Sequence, residues 1–319
     1  MKTIKSVLLI CLLASILLSS LAGCAFDLTT APSTTEPLIE EDPIDESRLD
    51  DKFTLIYTKS DGTVAFTIEQ EAPIEQVMTE AYGSNDKIEV ILPKNTDYLA
   101  ISLCDSVGEA IVFVPKGHFV YTFQADMKSY FPKKMYKLKN TIKIRVPSDE
   151  EIYSKRNLAL NPYDVKPTEA SAYPHVYASN SINMAQYGAH NAIDGIKRNT
   201  SYGAYPFQSW GPHYDITTED YFTVDFGEET EIDELVIYLR AAYESGHDGY
   251  FTKATLEFAD GTKKEITLKR TAKAQTFKLD SIKTSTIKIY GLEVDQTNSQ
   301  GWPGITEIEV IGTITNNSN

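Results

Sequence analysis

The run Tyr-Phe-Thr-Val-Asp-Phe-Gly, from Tyr221 to Gly227, decides the fold class of this chain. Its apolar residues Phe222, Val224 and Phe226 alternate with polar or half-polar neighbours. A period of two is typical of a strand that buries one face. The same period continues in a second run of apolar residues, Leu235, Ile237 and Leu239. Both runs therefore predict strands of a half-buried β-sheet.

A turn signal follows further along the chain. Leu256 and Phe258 lead into Asp260-Gly261, and Ile266 and Leu268 continue the alternation. Glycine supplies the positive φ that a tight hairpin needs, so this stretch predicts a β-hairpin. No comparable stretch between residues 157 and 312 has apolar residues at helical spacing, which argues against a βαβ nucleotide fold and against a two-lobed solute receptor.

Residues 53–150 predict a second, smaller β-sandwich of unknown role. Phe53–Tyr57 and Val64–Ile68 flank Asp61-Gly62, as in a hairpin. We also expect Ile111–Val114 to pair with Phe119–Phe123 across a Pro-Lys-Gly turn. Further alternating runs are Ile88 to Leu92, Leu99 to Leu103 and Ile142 to Val146. The chain is thus predicted to be all-β, with two sandwich domains, 53–150 and 151–314, and a short tail at 315–319.

The first 23 residues have the composition of a secretory signal. Lys2 and Lys5 precede an apolar run from Val7 to Leu18, which is too short to span a membrane. The segment ends in Leu-Ala-Gly-Cys, which matches the bacterial lipobox, and predicts lipidation of Cys24. This places the protein on the extracytoplasmic face of the cell membrane. The alternative is an ordinary signal peptide with a chance cysteine.

Residues 24–52 carry threonine, proline and clustered carboxylates, which cannot bury enough apolar area to fold. We expect a disordered acidic stalk. The whole chain has a formal net charge of −15, which disfavours nucleic acid and anionic lipid as partners. Cys11 lies in the predicted signal peptide and Cys24 would be lipidated, so Cys104 has no disulfide partner within one mature chain. We expect an unreactive, partly buried thiol there.

Three short motifs occur in the order of a known module. They are Asn-Leu-Ala-Leu-Asn at Asn157–Asn161, Ala-His-Asn-Ala-Ile-Asp-Gly at Ala189–Gly195, and the strand at Tyr221–Gly227. The chain here resembles the discoidin-like (factor V/VIII C-type, galactose-binding-like) family. The resemblance implies a jelly-roll sandwich whose end loops bind sugars, lipid head groups or proteins, and many bacterial members are carbohydrate-binding modules.

The resemblance also implies a structural calcium site. Its side-chain ligands here would be Asp194 and Glu307, with loop oxygens from the segment His190 to Thr200. Calcium takes six to eight oxygens, which such a loop can supply. Ile-Lys-Arg at 196–198 departs from the family pattern, because relatives often have Asp or Asn there. The alternative is that Asp194 only caps a turn before glycine.

Sugar binding needs aromatic faces and side chains that hydrogen-bond to hydroxyls. Three loops carry both types, and the candidate ligand-binding residues are Trp210, His213, Arg240, Asp248, Tyr250 and Trp302. Trp210 has a second interpretation as a core residue beneath the loops, since tryptophan is highly buried on average.

We therefore expect a non-catalytic surface lipoprotein that binds a neutral or amino sugar. A glycan-active enzyme subunit is a second class, although no Gly-x-Ser-x-Gly, His-Glu-x-x-His or phosphate-loop motif occurs in the chain. An adhesion or assembly protein that binds another protein at the same loops is the third.

Overall fold

The computed structural model describes residues 48, 51–124, 135, 137, 139–164, 170–182, 184–197, 208–213, 215–241, 249–295 and 302–315. The predicted signal peptide, Cys24, most of the stalk and the last four residues lie outside this part. Residues 44–319 form one compact unit. No described helix is long and apolar enough to span a membrane.

Eight antiparallel strands form the first sandwich. They are β1 (Phe53–Thr58), β2 (Val64–Gln70), β3 (Ile74–Val77), β4 (Lys87–Ile91), β5 (Tyr98–Ser102), β6 (Ala110–Phe113), β7 (His118–Thr122) and β8 (Thr141–Arg145). Their order is β2-β1-β4-β7 in one sheet and β3-β8-β5-β6 in the other. Alternate residues such as Leu55, Val90 and Phe119 are buried between the sheets. The predicted hairpin across Gly62, whose φ is +87°, is confirmed as β1–β2.

The expected pairing of Ile111–Val114 with Phe119–Phe123 is wrong. β6 pairs with β5, and β7 pairs with β4, so the two strands lie in different sheets. The turn at Gly117, with φ +65°, carries the chain from one sheet to the other, and the Gly117 carbonyl accepts a 2.8 Å hydrogen bond from Leu92 N. β6 and β7 lie in opposite sheets and bury their apolar residues in the same core. Two strands of a hairpin would show the same alternation, so the sequence pattern does not separate the two arrangements.

Arg48 is held against the first sandwich. Its buried guanidinium donates to the carbonyls of Leu92 (3.3 Å), Pro93 (2.6 Å) and Thr96 (2.6 Å). The close approach requires glycine at position 117, because a Cβ there would lie 2.4 Å from the guanidinium carbon. The chain is therefore anchored to the fold five residues before β1 begins.

The second sandwich follows helix α1 (Asp149–Tyr153), which Ser148 caps through a capping box with Glu151. Its strands are β9 (Arg156–Asn157), β10 (His175–Ala178), β11 (Phe222–Leu239), β12 (Tyr250–Phe258), β13 (Lys263–Thr267), β14 (Gln275–Asp295) and β15 (Ile305–Ile314). Two 3-10 turns, at Ala185–Tyr187 and Ala189–Ala192, lie between β10 and β11. The strand order is β13-β12-β14-β11-β15-β9, with β10 beside β11.

β11 is a long strand whose first and last parts pair with different neighbours. Its first residues, Phe222–Asp225, pair with β10 and with the later half of β14, whereas Thr230–Leu239 pair with β15. The register shifts between Asp225 and Thr230, and Gly227 adopts φ +70° at this bend. Such an irregularity bends a strand, and β11 stays paired with β14 on both sides of it. The predicted all-β class is confirmed, and so is the β12–β13 hairpin across Gly261.

The segment between β9 and β10 contacts the first sandwich. The hydroxyl of Tyr163 accepts a hydrogen bond from Leu103 N (3.0 Å) and donates to Gly108 O (2.7 Å), and its ring lies in the first core. Tyr173 forms an isolated antiparallel β-bridge with Phe113. Tyr163, which follows the predicted domain boundary at residue 150, thus packs in the core of the first sandwich. The boundary itself stays a prediction.

Cys104 is fully buried, not partly exposed as expected, and its Sγ lies 2.9 Å from the hydroxyl of Ser106. Strand β5 is covered on both sides, so even the residues that alternate with its apolar set are buried.

Candidate ligand-binding site

Three chain segments meet where β11 ends and β15 begins. Trp210 N donates to Ile305 O (2.8 Å), and Ile305 N donates back to Trp210 O (3.0 Å). Arg240, directly after β11, donates its backbone N–H to Gly304 O at 2.9 Å. Backbone hydrogen bonds therefore bring together loops that are separate in the sequence.

Trp210 is fully buried in the second core. Its ring stacks on Phe251 at 5.7 Å and 13°, and packs against Phe222 at 5.0 Å. Its indole N–H donates to Asn180 O (3.0 Å) and to the hydroxyl of Ser181 (3.1 Å). The expectation that this ring stacks on a sugar is corrected, because a ring filled on both faces by protein has no face left for ligand. The alternative interpretation, a core residue under the loops, fits the structure.

Trp302 and His213 form an aromatic corner at this end of the sandwich. Their rings meet edge to face, with centroids 5.7 Å apart and planes at 76°. Asn180 Oδ1 accepts from His213 N at 2.9 Å, and the imidazole Nδ1 lies 3.0 Å from Asp215 Oδ1. Both rings are partly exposed, so the indole that remains available to a ligand is that of Trp302.

Arg240 lies beside this corner, with most of its side chain buried. Its guanidinium carbon is 5.3 Å from the centroid of the Tyr187 ring, which is cation–π distance. Gly304 allows the packing, because a Cβ at that position would lie 3.3 Å from Arg240 carbon atoms and 3.2 Å from Trp210 O. The Tyr187 ring therefore contacts the Arg240 guanidinium, and the absence of a side chain at Gly304 leaves room for it.

A cavity of about 300 Å³ opens among these residues. Its lining residues are Ile182, Met184, Tyr187, Gly211, Pro212, Arg240, Trp302 and Pro303. The volume lies at the lower end of the range for small-molecule sites and suits one or two sugar rings. Sequence reasoning missed Ile182, Met184 and Tyr187. The signal available for Tyr187 was its position two residues before the Ala189–Gly195 motif.

Tyr250, another predicted ligand residue, is described by the structure at some distance along the chain from the cavity residues. Tyr250 starts β12, where its ring lies 6.0 Å from the guanidinium carbon of Arg270. Burial, and next the charge of Asp295, raise the pKa of Tyr250. It is not among the described residues that line this cavity, and its assignment as a ligand residue stays a prediction. Asp248 lies outside the described residues.

A second polar site contains the two predicted calcium ligands. Glu307 on β15 is fully buried, and both its carboxylate oxygens accept from Gly195 N at 3.1 Å. Asp194 accepts from Ile196 N (2.8 Å) and from the Gln208 side chain (3.4 Å). Burial raises the pKa of Asp194 to about 8. Burial first, and the Asp194 charge second, raise the pKa of Glu307 well above its usual range.

Lys197, which departs from the family pattern, offsets the pair only in part: its charge lowers the pKa of Glu307, but burial outweighs this effect. Lys197 Nζ lies 2.7 Å from Glu309 and 5.7 Å from the centroid of the Tyr238 ring. Thr306 Oγ1 donates to Lys197 O at 3.5 Å, so a backbone carbonyl of this loop faces the start of β15. Thr200 lies outside the described residues, and within the described part no three His, Cys, Asp or Glu side chains cluster as a metal-binding group.

The chain is similar to solved structures of sugar-binding modules, at sequence identities under 25%. A fucose binding module of Streptococcus pneumoniae, SpX-3, is 17% identical, with 49% of this chain and 96% of that chain covered and a TM-score of 0.33. A family 32 carbohydrate-binding module of C. perfringens NanJ, in complex with galactose, is 22% identical, with 43% and 91% covered and a TM-score of 0.33. The lectin domain of lectinolysin, complexed with Lewis B antigen, is 13% identical, with 49% and 95% covered and a TM-score of 0.34.

No curated protein matches the chain. The F5/8 type C domain family matches residues 175–308, a range that runs from the first residue of β10 into β15 and includes Asp194, Arg240 and Glu307. The chain thus contains an F5/8 type C, or discoidin-like, domain at residues 175–308.

Proposed function

We propose that this protein is a surface-anchored bacterial lipoprotein that binds a glycan end through the cavity at Trp302 and Arg240, without catalysis. The observation that carries the proposal is the cavity itself. A partly exposed indole and a fixed guanidinium line one small concave space at the loop end of a discoidin-like domain. Protein sites that hold sugars combine an aromatic face with a few oriented hydrogen-bonding groups.

The two side chains have different roles in this proposal. Trp302 stacks on the apolar face of a pyranose. Arg240 carries only donors, so it binds hydroxyl or carbonyl oxygens of the sugar. Its position over Tyr187 keeps the guanidinium oriented before ligand arrives, which lowers the entropy cost of binding. A cavity for one or two rings supports weak binding, in the millimolar to micromolar range, roughly −4 to −8 kcal/mol.

Calcium belongs to the same proposal as a structural ion. The carboxylates of Asp194 and Glu307 fit a cation, because both are buried and each is easier to protonate than an ordinary carboxylate. A hard divalent cation relieves that cost with oxygen ligands, and a loop carbonyl such as that of Lys197 is of the right chemical type. When bound, the ion holds the loop after Gly195 against β15.

The membrane anchor rests on the Leu-Ala-Gly-Cys sequence at residues 21–24. Two acyl chains give stable attachment where one chain is marginal. Cys24→Ser should release the protein into the medium, as detected by fractionation. A variant that stays in the membrane fraction would rule out this anchor.

The glycan proposal is tested by an array followed by calorimetry on the best glycan. Trp302→Ala should abolish detectable binding while leaving the melting temperature within a few degrees, because the ring is partly exposed. Trp302→Phe should retain part of the affinity. Phe277→Ala, a partly buried change on β14 away from the cavity lining, serves as control. Unchanged affinity in Trp302→Ala would place the glycan site elsewhere. Absence of binding to any array glycan would favour the third class, a protein-binding adhesion module, and release of shorter products from the glycan would favour an enzyme.

A further inference from the structure

One side of the first sandwich ends in two open strand edges. Among the described strands, β2 is hydrogen-bonded to β1 alone, and β3 to β8 alone. Three residues join β2 to β3, so both edges lie on the same side. They carry the two most exposed large apolar side chains of the described chain, Val64 at 55% and Val77 at 62%. Main-chain groups and apolar side chains are therefore both available there to a partner strand.

The opposite side of the same sandwich is covered by the chain itself. Tyr173 bridges to Phe113 on β6, with hydrogen bonds of 2.9 and 2.8 Å in the two directions. Ser171 Oγ accepts from Val120 N on β7 at 2.9 Å and donates to Val120 O at 3.3 Å. The fold thus pairs residues at two of the four sheet edges and leaves β2 and β3 open.

The open side is acidic. Residues 61–77 include no lysine, arginine or histidine, and their acidic residues are Asp61, Glu69, Glu71 and Glu75. Glu75 has Lys143 of β8 opposite it. Glu69 and Glu71 are exposed and form no ion pair with a residue that the structure describes. Charge at this side therefore favours a partner strand with basic side chains.

β2 lacks most of the usual protection of an edge strand. Edge strands are commonly blunted by lysine, proline or a bulge. Val64–Gln70 contains no lysine or proline, and its register shift is confined to its start. From Phe66 to Gln70 it pairs regularly with β1, so this part of β2 is a regular edge to which one more strand can add.

The second sandwich ends in an edge of the opposite charge. β13 is the outer strand of its sheet, with β12 as its neighbour. The stretch 263–270 is Lys-Lys-Glu-Ile-Thr-Leu-Lys-Arg, which has four basic residues and a single acidic one, in a chain of net charge −15. Lys263 is exposed, although it lies 3.5 Å from Glu257 of β12. Lys269 and Arg270 are exposed and have no ion pair within the described part of the chain.

We infer that β2 of one molecule pairs with β13 of another, as an antiparallel strand addition between copies of this chain. Each edge repels a copy of itself and attracts the other, which disfavours β2–β2 and β13–β13 pairing. The antiparallel register that sets Glu69 opposite Lys263 also sets Phe66 opposite Ile266. Phe66 packs on the first core and Ile266 lies in the second. One register therefore matches both the charges and the apolar faces.

The two paired surfaces differ, so the contact is heterologous. A molecule bound through its β2 still has its β13 free, and copies join head to tail. A row of copies would present several of the proposed glycan sites together, and multivalent binding offsets weak individual affinity. The inference itself does not depend on glycan binding.

Charge reversal on each edge tests the pairing in the full chain. Cys24→Ser serves as the parent, so that lipid cannot cause association. Sedimentation velocity across a range of concentrations measures self-association, and hydrogen exchange follows the amides of β2 and β13. The parent should associate, less so at high ionic strength, and both strands should gain protection. Glu69→Lys alone and Lys263→Glu alone should each weaken association about tenfold or more, because like charges then lie opposite one another.

An equimolar mixture of these two variants separates this contact from any other. In the mixture every β2 meets an oppositely charged β13 on the other variant, so association should return to within about threefold of the parent. The double variant should recover in the same way. Glu229→Lys on β11 and Lys283→Glu on β14 are matched controls at exposed sites and should leave association unchanged. Melting curves check that every variant folds.

Three results would overturn the inference. The first is a parent that stays monomeric at every concentration with unprotected β2 and β13 amides, which would leave β2 to a partner of another kind. The second is association that neither reversal weakens, which would place the contact elsewhere. The third is loss of association in both single variants without recovery in their mixture, which would show that β2 and β13 do not pair with each other.

Discussion

Glu228 of the second sandwich accepts a 2.6 Å hydrogen bond from the hydroxyl of Tyr98 in the first. Burial, followed by this contact with Glu228, raises the pKa of the tyrosine, and burial also raises the pKa of the carboxyl group. Arg156 lies near both groups and offsets part of the raised carboxyl pKa by its charge. A partly buried acceptor and its donor thus come from different sandwiches, and this hydrogen bond links the two.

Tyr98→Phe should lower the free energy of unfolding by about 0.5–1.5 kcal/mol, because the partly buried Glu228 carboxylate loses its donor. Urea denaturation measures the loss. Tyr290→Phe, at a partly exposed site on β14, is the matched control and should cost less than about 0.5 kcal/mol. Equal losses in the two variants would mean that the contact between the sandwiches contributes nothing.

Trp210→Ala should destabilise the protein by about 3–5 kcal/mol, as removal of a fully buried aromatic residue does. Trp210→Phe should be milder and should keep the cavity able to bind, since Phe can still pack on Phe251. Thermal melts and calorimetry separate the two effects. If Trp210→Phe were fully stable yet lost all binding, the ring would have a direct role in the ligand site after all.

Calcium removal should lower the melting temperature of the wild-type protein. An ion that binds only the folded state adds RT ln(1 + [L]/Kd), about 2.7 kcal/mol at a hundredfold excess over Kd. Asp194→Asn should lose this response to chelator. In calcium-free buffer the same variant should match or exceed the wild type, because ionising the buried Asp194 beside Glu307 is unfavourable and an amide carries no charge. Identical wild-type melting curves with and without chelator would exclude the ion.

The same pair predicts an unusual pH dependence in calcium-free buffer. The pKa of Asp194 is about 8 in the folded protein and about 4 in an unfolded chain, so the folded state binds more protons between these values. Its contribution to the free energy of unfolding therefore falls as pH rises from about 4 to about 8. Asp194→Asn combined with Glu307→Gln should remove this slope. Urea titrations at pH 5 and pH 8 on both proteins give the difference directly, and parallel behaviour would contradict the raised pKa.

Local patterns predicted the parts of the fold that depend on local chemistry. Alternation at Phe222, Val224 and Phe226 gave a strand because each apolar side chain faces the same core. Asp-Gly at 260–261 gave a hairpin because glycine takes up the positive φ there. Arg240 lines the cavity because it directly follows a buried strand, and its role in ligand binding stays a prediction.

The misplaced residues depend on contacts between distant parts of the chain. Trp210 is buried because Phe251 and Phe222 meet it from other strands, and nothing beside it in sequence indicates this. Tyr187 joins the site only because the first 3-10 turn lies under Arg240. The partners of β6 and β7 could not be predicted either. A period of two shows which face of a strand is buried, but it does not show which strands pair with it.

The buried guanidinium of Arg48 has a mechanical consequence. If the protein is held at Cys24 and pulled by a bound glycan, tension enters the folded part at Arg48, before it reaches Phe53 and the hydrogen bonds of β1. Three carbonyl contacts from residues 92–96 must break first. Resistance to force is governed by the rate of unfolding rather than by equilibrium stability. Under such tension, the contacts of Arg48 would therefore have to break before the first sheet is loaded.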